Sequence, residues 1–144
     1  MTIQEQAATL VEEFTFLDDW MDKYTHIIEM ARDLAPLSEA EKTEQNIVRG
    51  CQSQVWLVAG VENDQVVFRA DSDGVITKGL IAMLVGVLSG HPPQEIIDAD
   101  LSFLDQIGVR EHLSPNRSNG LSAMMKQMKY YAVALQAQQK MSSN

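Results

Sequence analysis

VITKGLIAMLVGVLS, residues 75–89, is apolar around almost its whole circumference when it is drawn as a helix. A helix with almost no polar face is buried on all sides, so this stretch predicts a central helix that the rest of the chain surrounds. Gly79 and Gly86 lie seven residues apart on one side of it, which predicts close packing of another element there. Gly90 follows and is expected to end the helix.

Periodic patterns on both sides of this stretch indicate the remaining elements. Alternating apolar residues at 55–60 and 66–69, separated by a turn at 62–64, predict an antiparallel hairpin. Apolar residues three and four apart predict helices at residues 2–14, 18–35, 94–99, 103–107 and from 117 or 119 to 138. We therefore predict an α+β fold in two layers, with a small antiparallel sheet packed against helices.

Length and composition are typical of one globular domain. The chain has 144 residues, of which 45% are hydrophobic and 22% are charged. A chain of this size buries most of the surface of its unfolded form, so we predict a single domain over residues 1–144 with flexible ends at 1–3 and 139–144. The net charge of −9 argues against nucleic-acid binding, which requires a basic face.

The cysteine content and the apolar runs bear on location. One cysteine forms no internal disulfide, and the N-terminus has no basic segment followed by an apolar run and a cleavage site. The longest apolar run, residues 79–89, is shorter than the roughly 20 residues that cross a bilayer. We therefore expect a cytoplasmic protein that does not enter a membrane, either monomeric or a homodimer.

The only cysteine, Cys51, lies in the stretch RGCQSQVW, which begins at Arg49. A thiol is nucleophilic only as the thiolate, and Arg49 supplies the nearby positive charge that favours this form. Gly50 permits a tight turn, while Gln52 and Ser53 provide hydrogen-bonding groups close to the sulfur. The residues alone leave two interpretations open: a reactive thiol, or a small buried apolar side chain.

Other chemistries have weaker support. Cys51, His26, His91 and His112 share no spacing typical of metal ligands, so no metal site is predicted. A thiol hydrolase needs a histidine that folding brings to the cysteine, and the sequence neither shows nor forbids this.

Two polar stretches have structural as well as functional interpretations. Asp71 and Asp73 are compatible with an acidic pair, but the sequence Asp-Ser-Asp-Gly is first a turn and helix-cap pattern. Arg117 and the backbone amides at the start of the last helix are compatible with an anion site, while Ser118 or Asn119 is equally suited to cap that helix.

Three stretches occur in an order and at separations that match a known family. They are GCQSQVW at 50–56, DSD at 71–73 followed by KGLIA at 78–82, and HLSPNRSNGL at 112–121. Together they resemble the SufE family, the sulfur-acceptor partners of cysteine desulfurases. The family commonly has Thr-Pro-Ser-Arg where this chain has Ser-Pro-Asn-Arg at 114–117, which keeps the arginine. The resemblance covers nearly the whole chain and leaves the Suf branch and the related Csd branch both open.

The resemblance implies a SufE/NifU-like fold and a role in sulfur transfer. Cys51 would take persulfide sulfur from a cysteine desulfurase, SufS-like or CsdA-like, and pass it to an iron–sulfur scaffold. The chain would carry no cofactor, because pyridoxal phosphate belongs to the desulfurase, and would have little or no activity alone. The alternatives are a non-catalytic interaction domain with an incidental cysteine and a thiol hydrolase that works without a partner.

The resemblance also implies a mobile cysteine loop whose sulfur rests in an apolar cavity. Gly50 would then be the hinge, and the helices around residues 80–84 and 121–125 would form the wall. We predict that Arg117 positions the loop or the transferred sulfur, and that Asp73 tunes the mobility of the loop.

Overall fold

A computed structural model describes residues 1–142 of the chain. Over these residues the elements are α1 (Ile3–Thr15), α2 (Trp20–Asp33), a 3-10 helix (Glu44–Asn46), β1 (Val55–Glu62), β2 (Gln65–Ser72), α3 (Val75–Leu88), α4 (Pro93–Asp98), α5 (Phe103–Ile107), α6 (Val109–His112) and α7 (Pro115–Ser142). This arrangement confirms the predicted α+β class. Within the same residues, no helix is both long enough and apolar enough to cross a membrane.

The ends that we predict to be flexible, residues 1–3 and 139–144, overlap the start of α1 and the end of α7. Ile3 is buried at the start of α1, and α7 continues to Ser142. Residues 143 and 144, on which part of this prediction falls, lie outside the described residues. Flexibility of the two ends therefore stays a prediction.

The predicted hairpin is present, and its strands are longer than expected. Strands β1 and β2 pair antiparallel from Val55 opposite Ser72 to Glu62 opposite Gln65. The turn residues Asn63 and Asp64 have φ of 53° and 64°, a left-handed conformation that short polar side chains tolerate. Two such residues form the kind of turn that matches the twist of a hairpin, so the strands continue up to it.

Helix α3 lies at the centre of the fold, as its sequence predicts. Nine of its 14 residues are buried, and it packs against α1, α2, α7 and β2. At Gly79, a Cβ atom would overlap both the side chain and the carbonyl oxygen of Ile27 on α2, so close packing is confirmed there. At Gly86 the prediction of close packing is wrong: the residue is exposed, and a Cβ atom would meet nothing within 4 Å.

The start of the last helix also differs from its prediction. Helix α7 begins at Pro115, before Arg117, because proline has no amide hydrogen and loses nothing in a first helical turn. Ser118 and Asn119 therefore lie inside the helix, and neither caps it.

Only the last residue of the sequence Asp-Ser-Asp-Gly at 71–74 caps a helix. Asp71 and Ser72 end strand β2, and Gly74 is the N-cap of α3 without a side-chain hydrogen bond.

Asp71 is a buried structural anchor. Its carboxylate lies 3.4 Å from Lys42 Nζ and 3.3 Å from Lys78 Nζ, and it accepts hydrogen bonds from the amides of Leu37 and Ser72. Burial by itself raises the pKa of Asp71, but the hydrogen bonds from Ser72, Leu37 and Lys78 outweigh burial and lower it. These contacts tie the connector after α2 to the sheet and to α3.

Candidate functional site

Cys51 lies on a closed loop between the 3-10 helix and β1, here called the cysteine loop, residues 49–54. The Val48 amide donates to the Val55 carbonyl at 2.8 Å, which brings the two ends of the loop together. Gly50 has a φ of +101°, a conformation that a side chain strongly disfavours. The glycine of the Gly-Cys pair is therefore required for the path of the backbone at the cysteine.

The cysteine loop lies directly on one face of α7. The Cys51 thiol donates to the Gly120 carbonyl at an Sγ–O distance of 3.6 Å. A Cβ atom on Gly120 would lie only 3.2 Å from this sulfur, and one on Gly50 would lie 3.2 Å from Ala123 Cβ. Residues three apart share a helix face, so Gly120 and Ala123 form a small-residue platform that receives the loop.

Gly120 is a site residue that the sequence analysis did not single out. The available signal was an isolated glycine inside a helical pattern, which often has a packing reason. Its partner is 69 positions away in sequence, so the pattern alone does not identify the reason.

A cavity of about 60 Å³ adjoins the sulfur. This volume is of the order of one or two water molecules, which is the scale of a single extra atom rather than of a small-molecule substrate. The cavity is lined by residues from the cysteine loop, α3 and α7: Cys51, Gln52, Ser53, Thr77, Leu80, Asn116, Arg117, Gly120 and Met124. Leu80 and Met124 come from the two stretches expected to form the wall. The lining is nevertheless mixed and not purely apolar, because polar side chains form much of it.

The two arginines near the motif have different surroundings. Arg49 is 75% exposed and lies 3.7 Å from Glu44, outside the lining of the cavity. Arg117 lines the cavity and, within the described part of the chain, has no acidic partner within 4 Å. Burial raises the pKa of the Cys51 thiol. The structure therefore does not bring Arg49 to the sulfur, and partial burial of the thiol disfavours the thiolate.

Asp73 clamps the end of the cysteine loop. Its carboxylate accepts a hydrogen bond from the Gln54 amide at 2.9 Å, and its own amide donates to the Gln54 carbonyl at 3.2 Å. The Ser72 hydroxyl donates to the same carbonyl at 2.7 Å. On the opposite side, Asn116 Nδ2 donates to the Gln52 side chain at 3.4 Å. The two acids of the predicted pair thus have separate tasks, since Asp71 anchors the fold and Asp73 holds the loop.

No histidine lines the cavity in the described chain. His26 lies beside Glu13, His91 contacts Gln6, and His112 stacks on Trp20. Among residues 1–142, no group of three or more His, Cys, Asp or Glu side chains is placed to hold a metal ion. The geometry therefore provides no base for a Cys-His hydrolase at Cys51.

Known proteins share both the sequence and the fold. The SufE family, described as an Fe-S metabolism associated domain, matches residues 8–132. An uncharacterized SufE-like protein of Rhizobium etli is 42% identical over 125 residues, covering 83% of this chain and 84% of that protein. A second uncharacterized SufE-like protein, from Rhizobium meliloti, is 38% identical over 125 residues, covering 83% and 89%.

A solved structure supports the fold independently of close sequence similarity. The solution structure of a hypothetical protein from Thermus thermophilus superposes with a TM-score of 0.75 at 21% identity, covering 90% of this chain and 94% of that chain. At this identity the likeness concerns the fold alone. Since the family match spans most of the sequence and two relatives share about 40% of their residues with it, the chain belongs to the SufE family, associated with iron–sulfur metabolism.

Proposed function

We propose that Cys51 accepts sulfur as a persulfide from a PLP-dependent cysteine desulfurase and passes it on for iron–sulfur cluster assembly. The observation that carries this proposal is the resting place of the sulfur. The chain's one cysteine lies beside an atom-sized cavity, on a loop that contacts α7 through the small residues Gly120 and Ala123 and one side-chain hydrogen bond from Asn116. A cysteine that only filled space in the core would not need a cavity beside its sulfur.

The transfer is a thiol–disulfide exchange with balanced atoms and electrons. The Cys51 thiolate attacks the outer sulfur of a persulfide on the donor's cysteine, and a new S–S bond forms on Cys51. The S–S bond of the donor breaks, and its cysteine leaves as a thiolate. No external oxidant or reductant takes part, and pyridoxal phosphate acts only in the donor.

The half-buried position of the thiol favours a conformational step before this exchange. In the resting position burial raises the pKa of the thiol, and the sulfur lies against the Gly120 carbonyl of α7. We infer that the cysteine loop moves away from α7 about Gly50, which exposes the sulfur and restores a more ordinary pKa. After transfer, the return of the loop would place the outer sulfur in the cavity, away from solvent thiols.

Mass spectrometry tests the proposal directly. The purified chain is incubated with a SufS-like or CsdA-like desulfurase and L-cysteine, and then alkylated and digested. We expect a gain of about 32 mass units, one sulfur atom, on the peptide that contains Cys51. A chain that stimulates the desulfurase but never carries this mass would instead be an interaction domain with an incidental cysteine.

Asp73→Ala is expected to accelerate the reaction of Cys51 with the disulfide reagent DTNB about fivefold at pH 7, because a lost hydrogen bond is worth about 1 kcal/mol. The pH at which the rate is half-maximal should fall towards that of free cysteine, about 8.5, because the freed thiol is no longer buried. The measurement is the DTNB rate from pH 6 to 10, with the exposed Asp18→Ala as the charge-matched control. Equal rates for Asp73→Ala and the parent chain would show that Asp73 does not restrain the loop.

Arg117→Ala is expected to slow sulfur acceptance about tenfold, since a hydrogen bond to a charged group is worth about 1.5–3 kcal/mol. Arg117 is the cation that lines the cavity, where it can stabilise the thiolate or the transferred sulfur. The measurement is the rate of persulfide formation at saturating desulfurase. Lys126→Ala, an exposed cation on the same helix, is the control and keeps the normal rate. A normal rate in Arg117→Ala would remove the role assigned to this residue.

A further inference from the structure

The side of α3 that faces away from the Cys51 cavity carries an open apolar groove. Two adjoining cavities of about 230 and 250 Å³ share Met30 and Gly86 as lining residues. We call this the Gly86 groove and define it by Leu10 of α1, Met30 of α2, Leu34 just after α2, and Met83, Val85 and Gly86 of α3. None of the residues that line it also lines the Cys51 cavity.

Gly86 forms the open part of this groove. A glycine inside a helix costs about 0.5–1 kcal/mol relative to alanine. At Gly79 the contact with Ile27 explains that cost, but a Cβ atom on Gly86 would meet nothing within 4 Å. Packing inside the described chain therefore gives no reason for a glycine here, whereas an element that approaches from outside does.

The walls of the groove suit a protein segment better than a small molecule. Together the two cavities reach the lower part of the roughly 300–1,000 Å³ range of small-molecule sites. Both are nevertheless open to solvent along one side, whereas a small-molecule site buries most of its ligand. Met30 borders the groove from α2 and is partly exposed, whereas Met83 of α3 is fully buried at its floor. The side chain of Met30 can adapt its shape to an apolar partner. An apolar helix face laid into a groove is a common way to use such a surface.

The acidic charge around the groove favours a basic partner. Acidic residues outnumber basic ones on α1 and α2, with Glu5, Glu12, Glu13, Asp22, Glu29 and Asp33 against Lys23 and Arg32. The groove lining contains two acidic side chains, Glu13 and Asp33, and one basic group, the α-amino group of Met1. Lys23 lies over the Trp20 ring, and Arg32 lines a different cavity beside Asp73. A second copy of this chain, with net charge −9, would be repelled.

We propose that the Gly86 groove docks a basic amphipathic helix of a partner protein, with apolar side chains against Met30 and Val85 and lysine or arginine beside Glu13 and Asp33. Thr77 lines the Cys51 cavity, and Gly86 lies nine positions after it on α3. Since each residue of an α-helix turns by about 100°, the two residues lie on opposite sides of α3, about 180° apart. The docked helix therefore leaves Cys51 accessible, and a sulfur donor and this second partner bind at the same time.

A pair of synthetic peptides tests the proposal on the full-length chain with 13C-labelled methionine methyl groups. Both peptides carry leucine at helical positions i, i+4 and i+7; one has lysine and the other glutamate on the remaining surface. We expect the lysine peptide to shift the methyl signal of Met30 while those of Met124 and Met128 stay unchanged. The glutamate peptide should bind at least tenfold more weakly.

Two glycine variants locate the binding. Gly86→Leu places a side chain in the open groove, where a Cβ atom meets nothing within 4 Å, and is expected to weaken binding of the lysine peptide at least tenfold. Gly60→Leu, at a glycine in β1 whose Cβ atom would be equally free, leaves binding unchanged. Cys51→Ser should bind as the parent chain does, so failure of sulfur transfer and failure of docking are distinguishable. The proposal would be overturned by an unshifted Met30 signal, by equal binding of both peptides, by normal binding of Gly86→Leu, or by self-association of the chain that shifts the Met30 signal.

Discussion

Cys51→Ser is expected to lose sulfur acceptance completely, because a serine hydroxyl does not form a stable bond to the transferred sulfur. Serine is close to cysteine in size, and its hydroxyl keeps a donor towards the Gly120 carbonyl, which now receives the thiol. The fold should therefore survive, with a change of less than about 1 kcal/mol in the free energy of unfolding. The measurement is transfer of label from 35S-cysteine in the presence of a cysteine desulfurase, with thermal unfolding as the control for folding.

This variant separates the proposed function from its alternatives. An interaction domain with an incidental cysteine would stimulate the desulfurase equally well with serine at position 51. A thiol hydrolase would show activity in the parent chain without any partner and lose it in the variant. Labelled sulfur on folded Cys51→Ser would place the acceptor elsewhere and overturn the assignment of Cys51.

Gly79→Ala is expected to lower the free energy of unfolding by about 3 kcal/mol, the upper part of the usual range for overpacking. The added methyl group would overlap the Ile27 carbonyl oxygen, and backbone on a packed helix moves less readily than the end of a side chain. Helices α2 and α3 would have to separate at the centre of the fold. For a domain of this size, a loss of this order lowers the melting temperature by roughly 6–12 °C.

Gly86→Ala is the matched control, on the same helix and with the same added methyl group. At this open position the alanine gains helix propensity and is expected to raise the free energy of unfolding by about 0.5–1 kcal/mol. Urea denaturation with an unchanged slope measures both effects. Equal stability of the two variants would show that α2 and α3 are not in close contact at Gly79.

The elements of the fold were largely predictable because they depend on local periodicity. The apolar stretch at 75–89 predicted a buried helix, and the alternating residues on both sides of the turn at 62–64 predicted a hairpin. Both patterns show which side chains are buried away from water. The start of α7 was less predictable. A proline at position 115 serves equally as a helix stop or as a first-turn residue, and local periodicity does not decide between them.

Without the family resemblance, the candidate site was predictable only where its residues adjoin in sequence. Gly50 and Cys51 stand together in one motif, but Gly120 and Asp73 join the site through contacts that span 69 and 19 positions. Proximity in sequence was misleading for Arg49, whose guanidinium extends into solvent towards Glu44. Arg117, which does line the cavity, was proposed from the family resemblance and not from its neighbours along the chain.

Residue types and their spacing predicted an α+β chain built around an apolar helix that includes Gly79 and Gly86, and three motifs resembled those of the SufE family. They did not distinguish those two glycines, one of which packs against Ile27 while the other opens a groove. Nor did they indicate that Cys51 rests with a raised pKa beside a cavity of about 60 Å³. Burial, and with it the pKa of a thiol and the space around a glycine, depends on atoms brought from distant parts of the chain, so only tertiary packing decided these properties.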